Sequence, residues 1–136
     1  MVRSWGLLAV VVALASATVG CGTGTPPAEG AARTTARQFT QAVSNDQHSQ
    51  ACALLAPATR AQLEQATGTP CPAALAEENL AVTDAYVGTE RFGTMAQVKF
   101  VGDTVFVTKF ARGWKVLAAG CSPVPREPYH CLLHGG

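Results

Sequence analysis

Halfway along the chain the spacing of apolar residues changes, and that change restricts the fold more than any other feature. In Ala31–Ser44, Ala32, Ala36, Phe39 and Val43 recur at intervals of four, three and four, which marks one face of a helix. Asn45-Asp46 breaks that pattern and is placed to cap a second helix. Ser49–Ala56 predicts that helix as a short one burying Cys52, Leu54 and Leu55. Pro57 suits the first turn of a third helix, running to about Ala66, with Thr67-Gly68 as its stop. Thr69-Pro70 opens a fourth piece with Cys71, Ala74 and Leu75 on one side. Helices this short do not persist alone in water, so they need a surface to pack on.

The second half supplies it, with a period of two. Leu80–Thr89 carries Val82, Thr83, Tyr86 and Val87, and Met95–Val101 alternates Ala96, Val98 and Phe100 against Met95, Gln97 and Lys99. Thr104–Phe110 and Trp114–Ala119 complete the set, with Trp114, Val116 and Ala118 expected on one face. Gly102-Asp103 and Ala111-Arg112-Gly113 are short enough for hairpin turns. The expected fold is α+β: short N-terminal helices packed on a curved four-stranded antiparallel sheet, one face covered and the other partly open.

Ahead of this domain lies Met1–Cys21, where Arg3 precedes an uncharged apolar run from Leu7 to Val19. Those 13 residues are too short to cross a bilayer as a helix but suit the apolar region of an export signal. The ending Thr18-Val19-Gly20-Cys21 resembles the lipobox of bacterial lipoprotein precursors. That resemblance implies a signal peptide over 1–20, cleavage before Cys21, and palmitate-type acyl chains on Cys21. Two or more such chains hold a protein stably on a membrane, whereas one alone is marginal. The alternative is an ordinary secretory signal cut near Ala15–Ala17, leaving Cys21 as a thiol. Gly22–Gly30 has no apolar periodicity and a proline pair, so residues 21–30 read as a lipidated tether to a single domain over 31–136. The expected place is the extracytoplasmic side of the cell membrane, in the cell envelope.

Removing residues 1–20 takes Arg3 with it, leaving nine Lys+Arg against nine Asp+Glu. Neither nucleic acid nor anionic headgroups are favoured by a balance that lacks clustered positive charge. No second stretch is long and apolar enough to span a membrane.

The segments ACALLAPATRAQLE at 51–64, CP at 71–72, DTVFVTKFARGWKVLAAGC at 103–121 and PVPREPYHCLL at 123–133 carry a wider resemblance. Helices followed by a curved antiparallel sheet in a small exported lipoprotein resemble the cone-shaped fold of the nuclear transport factor 2-like superfamily. In particular, the chain resembles the small actinobacterial lipoproteins that share it, over residues 31–133. Enzymes of that superfamily place an acid, a base or a histidine deep in the cone. This sequence offers no motif onto which those residues carry.

Five cysteines is an odd count for an exported chain. Lipidating Cys21 leaves four, which allow three connectivities, and the favoured one is Cys52–Cys71 with Cys121–Cys131. The first bond clamps the second helical piece to the fourth, and the second closes a proline-rich loop after the last strand. There is no CxxC, and the cysteines do not group with histidines at zinc spacing, so no metal and no cofactor are expected.

The remaining candidates for chemistry each have an ordinary explanation. Asp84 and Tyr86, expected on one strand face, suit a base and a hydrogen-bond donor but equally a solvated face. His130 and His134 are four apart, as metal ligands on a helix are, but a solvated tail explains them better. Tyr129 suits either a displayed binding aromatic or a cover over the open end of the sheet. Phe92 and Met95 near a turn suit a contact patch, or simply scattered apolar surface. The leading expectation is a non-enzymatic interaction module with an envelope protein as partner. A second is a carrier of a small apolar ligand in a pocket lined by Phe39, Phe100, Phe106 and Trp114. A third, an isomerase- or dehydratase-like enzyme, rests on fold analogy alone.

Overall fold

A computed structural model describes residues 27–135. The expected signal sequence, Cys21 and most of the expected tether lie outside the described residues. Four helices come first: α1 (Pro27–Ser44), α2 (His48–Leu54), α3 (Pro57–Thr67) and α4 (Cys71–Glu77). Five strands come after them: β1 (Tyr86–Phe92), β2 (Met95–Phe100), β3 (Asp103–Phe110), β4 (Gly113–Val124) and β5 (Glu127–His134). They form one antiparallel sheet in sequence order.

The α+β class and the two disulfides are as expected, but the strand count is five, not four. The segment expected as a proline-rich loop and solvated tail is β5, paired along β4. Its prolines are placed where a sheet tolerates them. Pro123 sits at a register shift in β4, and Pro128 lies in β5, an edge strand whose outer side needs no N–H donors. The first expected strand is also shorter: Leu80–Ala85 is irregular and pairing begins at Tyr86.

The first helix begins at Pro27, within the stretch expected as tether. It buries Ala32, Ala36, Phe39 and Ala42 against the sheet, with Val43 packed at the margin. Asn45-Asp46 forms a turn with Asp46 in the left-handed region, and Gln47 takes the N-cap of α2 without a side-chain cap bond. Pro57 occupies the first turn of α3, where its missing N–H costs nothing. Gly68, at φ 68°, ends that helix with its N–H on the Glu64 carbonyl.

Ala96, Val98, Phe100, Val105, Val107, Trp114, Val116, Ala119 and Leu133 form the sheet side of the core. Backbone bonds also join the two layers. Leu55 bridges Val116, and the Ala56 N–H donates to the Val116 carbonyl at 2.7 Å. Between Val107↔Val116 and Phe106↔Ala118 the register shifts, leaving Leu117 without a partner on β3. The Leu117 carbonyl instead accepts the Thr59 hydroxyl at 2.8 Å and the Gly135 N–H at 3.1 Å. The same shift moves Ala118 off the face of Trp114 and Val116, because its partner Phe106 and theirs alternate along β3.

Candidate functional site on the outer face of the sheet

With the helices on one face, the other face of the sheet carries no helix among the described residues. The register places Lys99, Thr104, Cys121 and Cys131 in one row across β2 to β5. Cys121 and Cys131 are direct cross-strand partners, joined by a disulfide at a Cα separation of 4.0 Å. The other disulfide, Cys52–Cys71, spans 6.1 Å between Cα atoms and ties α2 to α4 inside the core. Each layer therefore carries one covalent staple.

Along that row from Lys99 to Cys121 lies a groove of about 520 Å³, lined in part by Val87, Lys99, Asp103, Thr104, Ser122 and Tyr129. Tyr129 stands edge-on to Phe106 across the outer face, with ring centroids 5.2 Å apart. Lys99 bonds to Glu90 at 3.0 Å, and this carboxylate holds the lysine above its ordinary pKa. Val87 is 61% exposed at the groove margin.

The groove also contains a buried acid. Asp103 is only 5% exposed. Its Oδ1 accepts the Cys121 N–H at 3.1 Å, while its Oδ2 is buried without a hydrogen-bond partner. Burial raises its pKa above the ordinary 3.8, an effect that backbone N–H groups, chiefly that of Cys121, partly offset. Apolar spacing alone gives Asp103 only as a turn residue. One signal in the sequence singles it out: Asp103 is the one acidic residue between Glu90 and Glu127.

The residues expected to line an interior pocket are dispersed. Phe39 is fully buried and Trp114 nearly so, both in the core. Phe100 belongs to the core and also reaches the outer groove. Phe106 is half-buried against Tyr129. Asp84 lies exposed in the irregular segment before β1, so it shares no strand with Tyr86. The Tyr86 hydroxyl instead bonds with Thr89 Oγ1 at 3.0 Å, and its ring lies under the Arg33 guanidinium at 3.8 Å. His130 and His134 are exposed on β5, and His134 Nδ1 is 3.2 Å from Gln62 Nε2. Among the described residues no group of three or more His, Cys, Asp or Glu is placed to hold a metal. Phe92 and Met95 face each other at the β1–β2 turn, both exposed.

These elements define an α+β domain with one sheet face packed on helices and a grooved, stapled face opposite. No protein family matches the chain, and neither a curated protein nor a solved structure does.

Proposed function

We propose that this is an envelope lipoprotein, acylated at Cys21, of the nuclear transport factor 2-like kind. Its domain faces the extracytoplasmic side as a non-catalytic interaction module. The partner docks in the groove between β1, β2, β3 and the β4–β5 hairpin. The observation that carries the reading is the groove itself, outside the helix layer, with Val87 exposed and Tyr129 braced on Phe106. Two disulfides fit an oxidising compartment, where such bonds persist. The carrier reading is weaker because Phe39 and Trp114, two of its four expected lining residues, are packed within the core.

Asp103 favours a second, enzymatic reading, since a buried acid with a shifted pKa in a cleft is a common mark of an active site. Against it, Oδ2 is closed off from solvent and Oδ1 is engaged by the Cys121 N–H. A general base must reach the proton it removes.

A photo-crosslinking residue placed at Val87 or Ser122, and at Glu77 as a control, tests the docking reading in intact cells. A discrete adduct at the two groove positions, weakened by Tyr129→Ala and absent at Glu77, is expected. Equal labelling at all three positions would overturn it.

A further inference from the structure

We infer that the exposed side of α1 binds a phosphate oxyanion through Arg33 and Arg37, the headgroup of an anionic lipid being its source. The two arginines are four residues apart and line one concavity of about 470 Å³, together with Gln38 and Gln41. Like charges at this spacing repel each other weakly along a helix, and an anion held between them offsets that repulsion. Among the described residues neither guanidinium makes an ion pair. Arg33 lies over the Tyr86 ring, which leaves the edge of its guanidinium free to donate. Arg37 has its Nε buried without an acceptor, so that N–H is closed to a ligand and binding falls to the outer N–H groups of the guanidinium. Among the described residues lining the concavity none is acidic. A phosphate fits this arrangement because two guanidinium forks match its oxygens and the Gln38 and Gln41 amides can donate beside them.

The choice of a lipid source rests on the proposed anchor at Cys21, since α1 begins six residues beyond that position. The phosphate chemistry itself does not depend on the anchor, and the test separates the two. The mature chain carrying Cys21→Ala is titrated with inorganic phosphate while the arginine Nε–H resonances are followed by NMR. The same protein is then floated with vesicles of phosphatidylglycerol or of phosphatidylcholine. A saturable shift of the Arg37 signal, with flotation on phosphatidylglycerol alone, supports the site and its lipid source. Arg37→Gln is expected to abolish both at an unchanged melting temperature, and Arg37→Lys to restore flotation only in part. Saturation by phosphate without flotation keeps the site and overturns the lipid source. The whole proposal fails if no saturable shift occurs, or if Arg112→Gln, at the distant β3–β4 turn, lowers flotation as much as Arg37→Gln.

Discussion

Asp103 reaches from the start of β3 to the backbone of β4, where its Oδ1 takes the N–H of Cys121 at 3.1 Å. The carboxyl thus secures the strand immediately beside the cross-strand disulfide, and it does so from a buried position. Asp103→Ala leaves that N–H without its acceptor and is expected to cost about 1–3 kcal/mol, measured by urea unfolding. The pH dependence comes from the raised pKa. Between the ordinary 3.8 and the higher folded value, the folded protein holds a proton that the unfolded chain has released. Stability from this group therefore falls as pH rises through that window and levels off above it. Asp103→Asn cannot titrate, so the stability of the wild type relative to this variant should rise as pH is lowered toward 4. Parallel pH curves for the two proteins would contradict the raised pKa.

The Cys52–Cys71 bond closes a separation of 19 residues that contains α3, and it joins two seven-residue helices. Replacing both cysteines by alanine is expected to lower stability by about 3 kcal/mol, the loop-closure value for that length. Thermal unfolding measures it, and a non-reducing peptide map reads the pairing directly. Peptides linking either of these cysteines to Cys121 or Cys131 would refute the arrangement.

Gly120 lies in the register shift of β4 at φ 64°. A Cβ there would meet Leu80 Cδ2 at 2.9 Å and Leu132 Cβ at 3.1 Å. Gly120→Ala should cost roughly 1–2 kcal/mol through the left-handed backbone alone, with crowding added. If chemical denaturation finds this variant as stable as the parent, the left-handed bend at 120 is wrong.

Phe39 is fully buried where α1 meets the sheet. Phe39→Ala is expected to destabilise by about 3–5 kcal/mol, because the cavity it leaves closes only partly. A loss below about 1 kcal/mol, small for any buried aromatic, would mean that the residue lines open space and would revive the carrier reading.

Cys21→Ala should move the protein from the membrane to the soluble fraction while its circular dichroism stays the same. Persistent membrane association of that variant would remove the anchor from the proposal.

How far each element can be read from the sequence depends on how locally it is determined. The four helices are set by apolar spacing, by Pro57 and by Gly68, all readable within a few residues, and their positions agree closely with expectation. The strand β2 is equally clear, since Ala96, Val98 and Phe100 bury together. By contrast β5 is hidden, because Pro123, Pro125 and Pro128 signal a loop unless the chain is known to bulge at 123 and to end the sheet at β5. The face of Ala118 is concealed for a similar reason: an extra residue at Leu117 reverses the alternation, and nothing local announces it. The groove is out of reach altogether. It gathers Val87, Lys99, Asp103 and Tyr129 from four strands, and only pairing register brings them to one place.

Every strand of the sheet is hydrogen-bonded to its neighbour in the chain. Each pairing therefore encloses little intervening chain, the kind of contact that forms fast. The helices have no such independence, yet they are made first, and the surface they pack on arrives last. Cys52 and Cys71 both lie in that early half. Their bond can close before any strand exists, keeping the α2 and α4 segments together until the sheet is there for them to pack on. Assembly then has two separable clocks, one set by the supply of oxidant and one by completion of the chain.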